Sequence, residues 1–207
     1  MINILDKQKN ILLQIEDGSF SHFHKLKNSK NKNLYLYIGA YTLYIIKKNS
    51  ETSFSLVQEI KNSNTEKKEH HWKLLELSSG DLAFITEIHL GKRSYVSIFS
   101  KLSENKFQKS LIIDEVKEPT NIYETEDNFM IISSKEESLF LDVKKGLKKI
   151  RKENKDDQYI FINSKFYFRY FGLSLLIYNN EYDEQIFKLD KDIFCIKRLQ
   201  DGTYLLG

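Results

Sequence analysis

Cysteine, arginine and alanine are scarce in this chain, and each shortage removes a class of explanation. Cys195 is the only cysteine among 207 residues, so no intrachain disulfide can staple the fold. Flanked by Phe194 and Ile196, it reads as a small buried thiol, and a reducing compartment suits it. Arginine appears only at Arg93, Arg151, Arg169 and Arg198, so the bidentate guanidinium favoured for reading phosphates and carboxylates is nearly missing. Lysine is abundant, but Lys, Asn and Ile share AT-rich codons, which points to genome bias. Net charge is 32 − 29 = +3, which excludes the strong basic excess of a dedicated nucleic-acid binder. No apolar run approaches a membrane span, and the start from Met1 to Lys7 lacks the basic-then-apolar layout of a secretory signal. None of the 15 Asn stands in an Asn-X-Ser/Thr acceptor. These absences lead to the expectation of an intracellular, cytoplasmic protein.

Hydrophobic residues make up 41% of the chain, enough for a real core. Tyr, Phe, Ile and Leu dominate and Ala is nearly absent. The apolar residues fall in runs of five to eight broken by polar turns, a pattern of strands rather than helices. Residues 33–48 show it best. Leu34-Tyr35-Leu36-Tyr37-Ile38, a Gly39-Ala40 turn and Leu43-Tyr44-Ile45-Ile46 form a hairpin signal with apolar residues on both faces. A sheet covered on one side would alternate, so these strands are expected to be sandwiched.

A phrase of apolar strand, acidic-or-serine plus glycine turn and second apolar strand recurs at Leu12 to Phe20, Leu74 to Leu82 and Ile196 to Leu205. Weaker copies run from Ile122 to Phe129 and from Ile160 to Phe166. With Gly18, Gly80, Asn128, Lys165 and Gly202 as turn positions, the spacings are 62, 48, 37 and 37. Polar stretches from Lys25 to Asn33 and from Lys61 to Glu69 are the expected insertions. Each copy leaves room for two more strands, and four strands per roughly 40 residues is the period of a propeller blade. The fold class is therefore expected to be all-β. One partial β-propeller would span 1–207, with antiparallel blades at 11–60, 71–116, 119–153 and 158–190 and a partial fifth at 193–207.

Ile98-Phe99-Ser100, Ile177-Tyr178-Asn179 and Phe140-Leu141-Asp142, together with the Asp-Gly turns, resemble the blade phrases of a degenerate WD-repeat-like β-propeller. The paired Gly-His and the Trp-Asp of that family are missing, and the only tryptophan, Trp72, opens a first strand instead. The resemblance implies a ring closed by both termini. Only Ile2 to Leu5 is in sight to add to the two strands of the last blade, so the expectation is a fragment of a longer propeller or an arc completed by another chain.

Local chemistry is sparse. Gly91-Lys92-Arg93-Ser94 lacks the earlier glycine of a phosphate-binding loop, since Thr86 stands there, and reads as a hairpin turn. His22 and His24 share one face of a strand and His70-His71 precede Trp72, but no further ligands are spaced to complete a zinc site. No nucleophile elbow, paired carboxylates or Cys-His arrangement is recognisable, so no catalytic residue, metal or cofactor is assigned. The second-to-third-strand turns and blade-to-blade loops of a propeller share one rim, which would carry His70, His71, His89, Lys92, Arg93, Glu136 and Glu137. A basic strip of Lys144, Lys145, Lys148, Lys149, Arg151 and Lys152 could meet RNA or an anionic membrane, but solvated lysines on an outer strand are favoured. The functional expectation is a non-catalytic interaction scaffold with a protein partner. A propeller enzyme with a channel site and a phosphate-surface binder through 144–155 are the alternatives.

Overall fold

The structure is a computed structural model. It describes residues 2–5, 7–15, 22–39, 41–61, 69–88, 93–125, 128–142, 148–152, 158–161, 166–171, 174–179, 184–188, 196–198 and 204–206; beyond residue 142 the description is of strands alone. The chain divides into two compact units, Met1–Ile122 and Tyr123–Gly207.

In chain order the strands are β1 (Ile2–Leu5), β2 (Ile11–Ile15), β3 (His22–Lys25), β4 (Leu34–Ile38), β5 (Thr42–Ser50), β6 (Ser53–Lys61), β7 (Glu69–Glu76), β8 (Leu82–Ile88), β9 (Arg93–Ser103) and β10 (Lys106–Ile113). They continue as β11 (Asn121–Glu124), β12 (Phe129–Ser133), β13 (Glu137–Asp142), β14 (Lys148–Lys152), β15 (Gln158–Phe161), β16 (Phe166–Phe171), β17 (Ser174–Asn179), β18 (Glu184–Lys188), β19 (Ile196–Arg198) and β20 (Tyr204–Leu206). Four consecutive groups, β3 to β6, β7 to β10, β11 to β14 and β15 to β18, each form a four-stranded sheet in simple up-and-down order. Hairpins β1–β2 and β19–β20 stand as two-stranded sheets. The chain is therefore all-β and built from propeller-like, four-stranded antiparallel sheets.

One expected assignment is overturned. The phrase beginning at Leu12 does not open the first four-stranded sheet; Ile11–Ile15 pairs with Ile2–Leu5, with Ile4 opposite Leu13. The strand that opens that sheet is His22–Lys25, paired with β4 so that Phe23 lies opposite Tyr37. The polar stretch after it is the turn itself, enlarged by a 3-10 segment at Ser29–Asn31.

This reassignment restores a regular period. The β3–β4, β7–β8 and β11–β12 turns are each closed by a backbone bond across the loop, from Leu26 N to Leu34 O, Leu77 N to Asp81 O and Thr125 N to Phe129 O. The residue just before each acceptor is left-handed: Asn33 (φ 64°), Gly80 (φ 89°) and Asn128 (φ 63°). Asparagine and glycine are the residues that take this conformation at least cost. Their spacings are 80 − 33 = 47 and 128 − 80 = 48. A second equivalent feature sits on the outer strands, where a bulge at Val57 in β6 falls opposite Ile45 and Ile46, and one at Ser110 in β10 falls opposite Ile98 and Phe99. Such bulges twist an edge strand and hinder edge-to-edge pairing.

Within the first unit, the sheet β3–β6 is buried on both faces, as its unbroken apolar strands require. One face, with Leu34, Leu36, Ile38, Leu43 and Ile45, packs on Leu82, Phe84, Phe99 and Phe107 of the sheet β7–β10. The other face, with Tyr37, Tyr44 and Ile46 flanked by Tyr35 and Phe54, receives Ile4, Leu13 and Ile15 from the β1–β2 hairpin. The two facing sheets are also joined by polar bonds. The Glu76 carboxylate accepts from the backbone N–H of Lys27 and Asn28 and from Asn31 Nδ2, at 2.6, 3.0 and 2.7 Å. Asn31, fully buried, also donates to Gly80 O at 3.0 Å and accepts from Lys101 Nζ at 2.9 Å. At the outer edge the Gln58 side-chain amide acts as a peptide unit, donating to Phe107 O at 2.7 Å and accepting from Phe107 N at 2.8 Å.

Because buried Asn31 joins three partners, Asn31→Ala should cost about 2–3 kcal/mol in urea unfolding. Gly80→Ala should also destabilise, by ~1–3 kcal/mol: the residue is left-handed and its new Cβ would stand 3.1 Å from Lys30 Cβ. Asn128→Gly, at the equivalent turn, should be nearly neutral in the same assay, since glycine takes the same backbone conformation.

Candidate functional site

Strand alternation puts Glu69 and His71 of β7, Phe84 and Thr86 of β8, and Tyr95, Ser97 and Phe99 of β9 on one face of their sheet. It is the face that carries Leu82, Phe84 and Phe99 into the core shared with the sheet β3–β6. Lys109, opposite Phe99 on the far edge strand β10, belongs to the same face. Its ammonium crosses the sheet, 5.7 Å from the Phe99 ring centroid, and pairs with Glu69 at 2.5 Å. The pair therefore ties the first strand of the sheet to the fourth over the two between them.

His71 is 6% exposed. Its ring packs against both Phe84 and Phe99, with centroids at 5.2 and 5.7 Å, and these two rings also touch each other at 5.4 Å. Its Nδ1 is 2.8 Å from Thr86 Oγ1, which in turn is 2.6 Å from Ser97 Oγ. Burial, helped by the Lys109 charge, pushes the imidazole down to about 4, so it is neutral at physiological pH. Burial would raise the Glu69 carboxyl, but hydrogen bonds from Lys109 and Tyr95 outweigh it and hold the group below its ordinary value. The Tyr95 phenol is pushed up by burial and by its bond to Glu69. The result is a charge-compensated polar group beside an apolar interface, with side chains from all four strands of the sheet.

The described ones among the rim residues expected from sequence lie on β7, at the start of β9 and at the β12–β13 turn. His71 is enclosed, whereas His70 projects from the opposite face of β7, half-buried and opposite Glu87. Arg93 opens β9, is exposed and pairs with Asp114; such exposed pairs contribute little to stability. His89 and Lys92 lie outside the described residues. In the second unit Glu136 is exposed in the β12–β13 turn, where the Ser134 hydroxyl accepts from the backbone of Glu136 and Glu137. Of the basic strip, Lys148, Lys149, Arg151 and Lys152 lie on β14, an edge strand of its sheet, and Lys144 and Lys145 fall outside the described residues. The expected pair His22 and His24 does share a face, with rings stacked at 5.8 Å; burial and the neighbouring His22 lower His24. Among the described residues no group of three metal-ligating side chains converges.

Glu69, Thr86, Tyr95, Ser97 and Lys109 were not singled out from sequence. Thr86 carried a signal, being the lone hydroxyl of the apolar strand β8. Lys109 carried none, since only the fold shows that it reaches across to β7.

These sheets define a propeller-like β-protein. No protein-family model matches the sequence, and no curated protein sequence matches it. Among solved structures, the chain is similar to virginiamycin B lyase from Staphylococcus aureus, with 11% identity, TM-score 0.49 and coverage of 89% of this chain and 66% of that one. It is also similar to a catalytically inactive variant of that lyase with quinupristin, with 14% identity, TM-score 0.44 and coverage of 89% and 67%. The chain thus spans about two thirds of the length of these proteins.

The His71 position makes a pH prediction. Its folded value, about 4, lies below the ordinary 6.5, so the unfolded chain binds more protons between those values. The stabilising contribution is complete above pH 6.5 and is lost as pH falls toward 4, by an amount on the order of 3 kcal/mol. Urea midpoints measured across this range should fall with pH, and His71→Gln should flatten that slope.

Proposed function

We propose that this chain is a non-catalytic protein-interaction scaffold, a propeller of the WD-repeat-like kind that its turn phrases resemble. The observation that carries this reading is where large apolar side chains reach solvent. Phe23 is 46% exposed on the edge strand β3, and Leu111 and Ile112 are 40% and 51% exposed on the edge strand β10. These strands belong to sheets locked together by Asn31, Glu76 and Gln58, so the exposed groups sit on a rigid frame. Preorganised apolar anchors at an edge favour a protein partner, because little ordering cost accompanies binding.

The strongly perturbed groups support the same reading from another side. Tyr95 is bonded to Glu69 and His71 to Thr86, and these two groups, whose values move furthest, are both buried. A catalytic group must instead reach a substrate.

Purification of the tagged chain from its own cells tests the reading. A protein partner should co-purify in defined ratio and stay bound in high salt, since apolar contacts are not screened. Recovery of no protein, or of nucleic acid alone that salt releases, would contradict it.

A further inference from the structure

A bulge interrupts β7. His71 lies opposite Thr86 and Lys73 opposite Ile85, so Trp72 is the extra residue between them. Without the bulge, strand alternation would send Lys73 into the core beside His71. The bulge turns Lys73 to the other face, and Leu74, opposite Phe84, takes the core position instead. Ile85 follows the left-handed Gly80 by 85 − 80 = 5 residues, and Ile38 follows Asn33 by 38 − 33 = 5. Ile38 is paired with His22, so Lys73 and His22 hold equivalent places on the first strands of two successive sheets. Glu76 at the end of β7 holds the β3–β4 turn, and Gln58 joins the outer strands, so β3 and β7 lie along the same edge of the stacked pair. Neither of the two equivalent positions supplies a carboxylate.

Lys73 is half-buried. Its ammonium donates to Thr120 O at 3.3 Å and to Oδ1 of Asn121, the first residue of β11. Both acceptors are neutral. The other half-buried lysine of the sheet, Lys109, is answered by Glu69, whereas among the described residues Lys73 forms no ion pair. Burial lowers the Lys73 ammonium from the ordinary lysine value, because charge withdrawn from water without a counter-ion is disfavoured. An ammonium has three N–H donors, and two are engaged here. Asn121 turns its Oδ1 to Lys73, which leaves the Nδ2 donors of the same amide beside the ammonium.

We propose that Lys73 and Asn121 form a binding site for the carboxylate of a small organic acid. The third ammonium N–H would take one carboxylate oxygen and the Asn121 amide N–H the other. The ligand supplies the counter-charge that Lys73 lacks, and the bulge at Trp72 is the device that keeps the ammonium out of the core and aimed at the site. A point charge and one amide make a less demanding site than an arginine fork, which suits an acid present at millimolar concentration. Both residues belong to the first unit, Met1–Ile122, and the site stands apart from the interaction-scaffold reading.

Carbon-13 NMR of the lysine-labelled whole chain at fixed ionic strength tests the site, with sodium acetate as the probe. The Lys73 ε-carbon signal, assigned by its loss in Lys73→Gln, should shift saturably, half-complete at on the order of 10 mM acetate. Exposed Lys61 should shift little and in proportion to concentration. Asn121→Ala, shown to be folded by circular dichroism and its urea midpoint, should raise the half-saturating concentration about fivefold or more. Acetate should also raise the Lys73 titration midpoint, which without acetate lies below the ordinary lysine value. A midpoint at or above that value before acetate is added would mean that a carboxylate of the chain already holds the ammonium, and would overturn the site. A Lys73 shift no larger than that of Lys61, equal saturation in Asn121→Ala, or tighter binding of inorganic phosphate than of acetate would each overturn the carboxylate site as well. No partner protein enters the experiment, so each of these results leaves the scaffold reading standing.

Discussion

A sheet that is apolar on both faces has to be covered twice, and the first unit is organised around that constraint. Tyr35 and Tyr37 point one way from β4 and Leu34, Leu36 and Ile38 the other, so neither face can be given to water. Burial of aromatic and branched side chains at roughly 25 cal/mol per Å² makes this the dominant stabilising term. It also explains why the sheets β3–β6 and β7–β10 stack: each supplies cover for the other.

Hydrophobic burial is not directional, and the polar bonds between layers supply the register. Asn31 and Glu76 fix the turn ends of the two sheets against each other, and Gln58 fixes their outer strands. The Glu69–Lys109 pair and the His71–Thr86–Ser97 chain fix one sheet internally. Each of these groups is satisfied by protein partners, which limits alternatives in which the sheets slide by one residue and strand a buried donor or acceptor.

Much of the architecture was legible in the sequence because period-two and continuous apolar runs report burial directly. Leu34–Ile38 and Thr42–Ser50 fall on the hairpin expected over residues 33–48. The beginning was misread because Asp17-Gly18 is a stronger local turn signal than the loop from Leu26 to Asn33, where the left-handed residue is Asn33 and the turn is widened by a 3-10 segment. Local turn chemistry outweighed pairing, and pairing is decided by long-range packing. The polar interior was less legible still. A lysine on an outer strand looks solvated in sequence, and nothing local shows that Lys109 lies over Phe99 and meets a glutamate 40 residues earlier.

The same frame that hides its polar groups displays a few apolar ones at its edges, and this contrast is the physical basis for reading the chain as a platform for another protein. The platform is rigid only if the stacked sheets behave as one body. Native-state amide exchange in rising denaturant tests this most directly. Amides of Leu36 and Ile45 in one sheet and of Phe84 and Ile98 in the next should merge into a single unfolding isotherm with one free energy. Two separate isotherms, with either sheet opening while the other stays protected, would contradict the account.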